Sequence, residues 1–189
     1  MSEPLPGLCG LVLAAGAGVR FGGPKALARS ADGTPWVVRA VETLRDAGCR
    51  RVVVALGAAS GEASALVPAD GEVVVVPDWA EGLSASLRAG LAAAIGADAV
   101  VVVPVDTPEL PVSSVRRVVH AAGEAPSVLA HAVYRGAPGH PVLIGSAHVA
   151  ALAASLTGDA GARAYLRAHD AVEVECGDLW SGADVDERP

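Results

Sequence analysis

The sequence contains no apolar run long enough to cross a membrane. Hydrophobic residues make up 52% of its 189 residues, but a membrane-spanning helix needs roughly 20 consecutive apolar residues. The longest runs, such as residues 99–105, have the length of a β-strand. The first six residues carry an acid and two prolines, which does not resemble a secretory signal. The sequence therefore predicts a cytoplasmic protein without a membrane partner.

Cysteine is scarce as well. The three cysteines, Cys9, Cys49 and Cys176, lie far apart and form no C-x-x-C pair. An odd number of scattered cysteines is typical of buried, inert thiols rather than of a redox or metal site.

Positively charged residues are also few. The chain has 14 Lys and Arg residues against 21 Asp and Glu, a net charge of −7, and Lys25 is its only lysine. A long nucleic acid requires a basic surface, so a nucleic-acid partner is not expected. A small phosphorylated ligand remains compatible with this charge, because it needs only a few local cations.

Strand-like and helix-like segments alternate along the whole chain. The predicted strands are continuously apolar, which is typical of a parallel sheet covered on both faces. The alternation predicts a doubly wound, mostly parallel α/β sheet, and the absence of repeats or linkers predicts a single domain over residues 1–189. The predicted strands are 8–14, 51–56, 72–76, 99–103, 127–133, 141–144 and 172–176. The predicted helices are 34–48, 84–96, 112–123, 146–156 and 160–169, with Thr34 and Ser84 as N-caps.

A glycine-rich loop follows the first strand, at residues 13–27, and carries two cations, Arg20 and Lys25. Small residues let the backbone approach a ligand, and successive N–H groups can cradle phosphate oxygens. Ligands of such sheets bind beyond the carboxyl ends of the strands. A plain turn does not need so long a loop, so the segment predicts phosphate binding.

Two common phosphate loops fit this segment poorly. A Walker A loop places Ser or Thr after its lysine, whereas Ala26 follows Lys25. A dinucleotide loop reads G-x-G-x-x-G, whereas Gly16, Gly18 and Gly22 are spaced more loosely. The end of the second strand, 56–58, also supplies neither the acid nor the arginine that a dinucleotide's ribose requires.

The loop instead resembles that of the nucleotidyltransferases that share a fold with molybdopterin guanylyltransferase. The Leu-Ala-Ala-Gly opening and the Pro-Lys ending are more similar to the molybdenum-cofactor cytidylyltransferase branch of this superfamily. The resemblance implies a Rossmann-like nucleotidyltransferase fold, with CTP as the substrate and GTP as the alternative. It also implies nucleotide binding by Leu13, Ala14, Ala15, Gly16, Gly18 and Lys25.

A second segment follows the third strand, where a predicted helix begins near Gly82-Leu83-Ser84. The free N–H groups of such a helix start face the ligand edge of the sheet, although simple capping by Ser84 is an alternative. The resemblance implies that Gly82, Leu83 and Ser84 hold the nucleotide. Asp78, just upstream, lies within reach of the base or the ribose.

Acidic residues end the fourth strand and recur near the end of the chain. Asp106 follows a central predicted strand, where a turn role and a magnesium role are both possible. The resemblance implies that Asp106 binds Mg²⁺ and that Asp184 or Asp186 is the second ligand, whereas a frayed acidic tail is the alternative for the latter pair. Two further matching segments, 136–143 and 158–163, imply acceptor-side loops, with His140 and Arg163 as acceptor ligands.

These residues together imply a Mg²⁺-dependent transfer of CMP from CTP to a small phosphorylated acceptor, with the molybdenum cofactor, which is the molybdenum complex of molybdopterin, as the implied acceptor. Lys25, Arg20 and Asp106 are the implied catalytic residues, acting by positioning and charge neutralisation. Two alternatives stay open. One is an NAD(P)H-dependent oxidoreductase of the nicotine blue oxidoreductase type, which has similar segments; the other is a non-catalytic carrier of the molybdenum cofactor.

Overall fold

The computed structural model describes residues 7–122 and 126–187, and within them a single seven-stranded sheet lies between two layers of helices. The strands are β1 (Leu8–Ala14), β2 (Arg51–Leu56), β3 (Glu72–Val75), β4 (Ala99–Pro104), β5 (Leu129–Tyr134), β6 (Ala137–Gly145) and β7 (Val172–Glu175). The helices are α1 (Trp36–Asp46), α2 (Ser60–Ser64), α3 (Leu83–Ala93), α4 (Val112–Ala122), α5 (Ser146–Ser155) and α6 (Arg163–Ala168). Short 3₁₀ turns cover Lys25–Leu27 and Trp79–Glu81.

The strand order is β3-β2-β1-β4-β6-β5-β7. β1 pairs in parallel with β2 and with β4, β2 with β3, and β5 with β7. β6 alone among the described strands runs against its neighbours, β4 and β5. This confirms the predicted fold class, an α/β fold with a doubly wound, mostly parallel sheet. The chain reverses its direction of winding at β1 and β4, where such folds bind their ligands.

The central strands are buried on both faces. Every residue of β1 is buried, with Leu11 facing the layer of α3 and Val12 facing the layer of α1. Gly90 lets α3 lie close to the sheet, because a Cβ there would be 2.3 Å from Leu11 Cδ1. Gly10 does the same for α1, since its Cβ would lie 2.8 Å from Leu44 Cδ1. These close approaches fix the helices that frame the carboxyl end of β1.

Two predicted helix N-caps are wrong. Pro35, not Thr34, is the N-cap of α1, and Gly82, not Ser84, is the N-cap of α3. Neither cap makes a side-chain hydrogen bond to its helix. The predicted helix 112–123 is described as far as Ala122, and its last residue lies outside the described residues.

Two other differences concern short elements. β6 begins at Ala137 rather than at 141, because it pairs with β5 across a tight turn in which Arg135 and Gly136 both have positive φ. The sequence did not predict α2, a short helix that follows Ala59. Ala59 itself has the left-handed backbone conformation. Five residues are too few to show helical periodicity.

None of the helices in the described part of the chain combines the length and the apolar character that crossing a membrane requires.

Candidate functional site

A cleft of about 400 Å³ opens at the carboxyl ends of β1 and β4. Its walls come from the loop after β1, the start of α3, the end of β4 and the loop before α6. The lining residues are Leu13, Ala14, Ala15, Gly16, Ala17, Gly18, Lys25, Ala26, Trp79, Ala80, Gly82, Leu83, Ser86, Pro104, Val105, Asp106 and Asp159. Most of the residues predicted to bind a nucleotide therefore line one cleft.

The glycine loop folds back on itself. Gly23 donates its backbone N–H to the Gly18 carbonyl oxygen at 3.0 Å. Gly18 has φ +59, and a Cβ there would lie 2.0 Å from the Gly23 carbonyl oxygen, so only glycine permits this closure. Pro24 then leads into the 3₁₀ turn that starts at Lys25. The closure brings Lys25 back to the cleft after a long excursion of the chain.

Lys25 bridges two carboxylates. Its Nζ donates to Asp106 Oδ2 at 2.8 Å and to Asp186 Oδ1 at 3.0 Å. Burial by itself lowers the pKa of Lys25, but the hydrogen bonds to Asp106 and Asp186 outweigh it and raise that pKa above its ordinary value. The Lys25 side chain is only 14% exposed. Its ammonium is thus a fixed positive charge at the end of the glycine loop.

The segment that carries Asp186 is tied to the end of β4. Val185 donates its backbone N–H to the Asp106 carbonyl oxygen at 2.9 Å, and its side chain packs against the core. Arg20 reaches Asp186 at 3.5 Å, although the Arg20 side chain is 82% exposed. The hydrogen bond from Lys25, and then the charges of Lys25 and Arg20, hold the pKa of Asp186 below its usual range. This docking does not fit a frayed tail.

Three carboxylates meet at this point. Asp106, Asp184 and Asp186 each offer an oxygen, and these oxygens lie within 4.8 Å of one another. Hard oxygen donors in such a group suit Mg²⁺, Mn²⁺ or Ca²⁺. Both residues predicted as alternatives for the second ligand therefore lie within reach of a cation held by Asp106.

The start of α3 meets the loop before α6. Gly82 has φ +116, and a Cβ there would lie 2.5 Å from Asp159 Oδ1 and 2.6 Å from the Gly158 carbonyl oxygen. Ser84 donates its backbone N–H to that same carbonyl at 3.0 Å. Two segments that the sequence assigned to different substrates, 82–84 and 158–163, are thus in direct contact.

Ser84 does not lie where the sequence predicted. Its side chain is fully buried, and its hydroxyl has no hydrogen-bond partner in residues 7–122 and 126–187. Ser86, two residues later, lines the cleft instead. The resemblance implied Ser84, but two residues along a helix point roughly 200° apart, so the side chains of Ser84 and Ser86 lie on different faces of α3.

The remaining predicted residues lie outside the lining. Asp78 is exposed, just before the 3₁₀ turn at Trp79–Glu81. His140 lies near the acids: burial lowers its pKa, and the negative charges of Asp106 and Asp184 partly oppose that shift. Arg163 is exposed at the start of α6, and its positive charge acts on the buried His131. Asp106 and Asp184 are thus near enough to influence His140 electrostatically, whereas Arg163 influences His131 of β5.

Sequence reasoning did not name several of the lining residues, among them Trp79, Ser86 and Asp159. Asp159 stands within the segment 158–163, to which the resemblance gave an acceptor role. The available signal for Trp79 was its place shortly after the carboxyl end of a predicted parallel strand, where ligand-binding residues collect. Asp159 carried no such signal, because the sequence does not show that its loop reaches α3.

Comparison with known proteins identifies a matching family and a similar protein. A family described as "MobA-like NTP transferase domain" matches residues 10–172. The chain is similar to a nicotine blue oxidoreductase from Paenarthrobacter nicotinovorans, with 37% identity over 193 residues that cover 96% of this chain and 93% of that protein.

Solved structures with a similar fold are also found. Rv0371c from Mycobacterium tuberculosis H37Rv is 27% identical, with a TM-score of 0.81 and coverage of 97% of this chain and 94% of that one. A complex of Rv0371C with manganese is 26% identical, with a TM-score of 0.72 and coverage of 89% and 86%. Each of these similarities covers most of this chain.

Proposed function

The chain belongs to the family of MobA-like NTP transferase domains, and on that premise we propose that it transfers the CMP group of CTP to a small phosphorylated acceptor, with molybdopterin as the proposed acceptor. The observation that carries the proposal is the position of Lys25. Its ammonium lies 2.8 Å from Asp106 and 3.0 Å from Asp186, at the end of a glycine loop whose small residues line the same cleft.

A divalent cation fits the acidic group. The oxygens of Asp106, Asp184 and Asp186 are near enough to share one ion, and carboxylate oxygens are the ligands that Mg²⁺ prefers. The manganese complex of Rv0371C, a similar protein, supports a divalent metal. When bound, such an ion would neutralise charge on the phosphates.

The residues of the chain account for the other parts of the reaction. The loop of Ala14, Ala15, Gly16 and Gly18 binds the nucleotide through backbone N–H groups. An oxygen of the acceptor phosphate attacks the α-phosphorus, the bond from that phosphorus to the bridging oxygen breaks, and pyrophosphate leaves with the bond electrons. Lys25, and more weakly the exposed Arg20, stabilise the negative charge of the departing pyrophosphate. No proton has to be removed, because the attacking phosphate is already ionised.

The acceptor is placed on the β6 side of the cleft. The negative charges of Asp106 and Asp184 act on His140, so an acceptor bound near His140 would approach the nucleotide from the side of these acids. Arg163 would add a positive charge at the outer end of this path for an anionic acceptor. We therefore propose His140 and Arg163 as acceptor contacts, with Asp78, Gly82 and Leu83 on the nucleotide side.

A second candidate is reduction with NAD(P)H. The observation that favours it is the 37% identity to a nicotine blue oxidoreductase. The three neighbouring carboxylates favour the first candidate, because hydride transfer does not require a group of acids that suits a divalent ion. The two candidates also differ in metal dependence, which makes them separable in one set of assays.

The test is product formation by the purified protein. Incubation with CTP, MgCl₂ and molybdopterin is expected to release pyrophosphate, and EDTA is expected to abolish the release. A parallel incubation with NADPH and nicotine blue tests the second candidate. Oxidation of NADPH without any release of pyrophosphate would overturn the transferase proposal and establish the oxidoreductase.

A further inference from the structure

The chain has only six aromatic residues: three Trp, two Tyr and one Phe. All six lie within the described residues, and five of them pack against another ring. The ring contacts are Phe21 with Trp36, Tyr134 with Trp180, and Tyr165 with His148 and His169. Within residues 7–122 and 126–187, Trp79 is the one aromatic side chain without a ring contact. It is only partly buried, and it lines the cleft.

Trp79 is held against bare backbone. A Cβ on Gly57 would lie 2.5 Å from both Cβ and Cγ of Trp79, and 2.6 Å from the Ala15 carbonyl oxygen. The tryptophan can therefore reach the ends of β1 and β2 only because residue 57 has no side chain. Ala58 donates its backbone N–H to that same Ala15 carbonyl at 2.9 Å, which fixes the surface beneath the side chain. The indole is a positioned wall of the cleft rather than a loose surface group.

The cleft has a charged end and an apolar end. Asp106 follows β4, on one side of β1, whereas Trp79 packs beside the end of β2, on the other side. Two strand spacings separate β2 from β4, or about 10 Å. The lining near Trp79 includes the apolar side chains of Ala80 and of the half-exposed Leu83, with the carboxylate of Asp159 beside Gly82. A nucleotide whose phosphates lie at the charged end would direct its base toward this wall.

We propose that the indole of Trp79 is the platform on which the base of the bound nucleotide stacks. The inference rests on the proposed function, since it assumes that a nucleotide occupies the cleft. Stacking on an aromatic ring strengthens the binding of any base, because every base has a π-face. Trp79 therefore contributes affinity for the nucleotide, whereas the choice between bases is left to polar groups.

The test compares a nucleotide with a probe that has no base. In MgCl₂, Trp79→Ala is expected to weaken CTP binding about 10- to 100-fold, measured by calorimetry. Binding of inorganic tripolyphosphate should stay within about two-fold of wild type, because the probe makes no stacking contact. Trp79→Phe keeps a ring and should restore most of the CTP affinity.

Tryptophan fluorescence supplies an independent readout. CTP is expected to quench the emission of the wild-type protein and of Trp180→Phe, in which a partly buried tryptophan packed against Tyr134 is replaced. The quench should disappear in Trp79→Phe even though CTP still binds.

Two results would overturn the inference alone: wild-type CTP affinity in Trp79→Ala, or equal losses for CTP and tripolyphosphate, which would indicate a structural role. A wild-type protein that bound neither CTP nor tripolyphosphate would instead contradict the proposed function, and the inference with it.

Discussion

The two ends of the cleft are built on opposite principles. At the charged end the groups satisfy one another without a ligand, since Lys25 already pairs with Asp106 and Asp186. At the apolar end Trp79 has no ring partner among the described residues, and Leu83 is 41% exposed. A ligand at the charged end must exchange existing ion pairs for new ones, whereas a ligand at the apolar end only adds contacts. Substitutions at the two ends should therefore behave differently.

The largest expected effect follows from removing the ammonium at the charged end. Lys25→Ala should lower the rate of pyrophosphate release about 100- to 1,000-fold, the usual cost of losing one preorganised group that stabilises transition-state charge. The same variant should bind Mn²⁺ several-fold more tightly in the absence of nucleotide, because the ammonium no longer competes for Asp106 and Asp186. Steady-state assays and metal titration would measure the two changes.

Lys25→Arg is the matched control, since it retains the charge but not the compact ammonium. It should lie between wild type and Lys25→Ala in both measurements. Full activity in Lys25→Ala would contradict the catalytic role of Lys25. Unchanged Mn²⁺ affinity would show instead that the ion pairs at this end are not exchanged on binding.

A smaller effect is expected from the two acids near the end of the chain. Asp184→Asn and Asp186→Asn should each raise the Mg²⁺ concentration for half-maximal activity by about ten-fold, because each removes one charged oxygen from the group of three. Asp178→Asn is the control, because Asp178 pairs with Arg117 away from the cleft. If neither substitution in the cleft changed the Mg²⁺ requirement, the acids would not form the metal site.

The smallest effect is expected at Arg20. Its side chain is 82% exposed and lies 3.5 Å from Asp186, and exposed ion pairs contribute little. Arg20→Ala should lower activity by less than about five-fold, with Arg167→Ala, at an exposed position on α6, as the control. A loss as large as that of Lys25→Ala would mean that Arg20 moves toward the bound nucleotide. The charged end of the cleft would then include Arg20 as well as Lys25.

The same contrast explains what the sequence could predict. The fold class followed from continuous apolar strands that alternate with helices. Lys25, Asp106, Asp184 and Asp186 could be named because charged residues in a glycine loop and after strands are conspicuous. Their convergence rested on the family resemblance, since the sequence alone does not show that Val185 pairs with the end of β4.

The apolar end was harder to predict for a physical reason. Trp79 packs over Gly57, which is distant in sequence, and a tryptophan after a strand is equally compatible with the core. The sequence also failed to predict that Ser86, rather than Ser84, lines the cleft. α3 starts from a glycine at positive φ rather than from a serine cap, and no periodic pattern shows which residue begins the helix.

The most direct test of the account is whether nucleotide binding depends on a divalent metal. The unfolding temperature of the wild-type protein would be measured with CTP, GTP and NADPH, each in MgCl₂ and in EDTA. A ligand that binds only the folded state raises that temperature. A rise with CTP in MgCl₂ that disappears in EDTA and in Asp106→Asn is expected. A rise with NADPH that is the same in MgCl₂ and EDTA, with none for CTP, would contradict it.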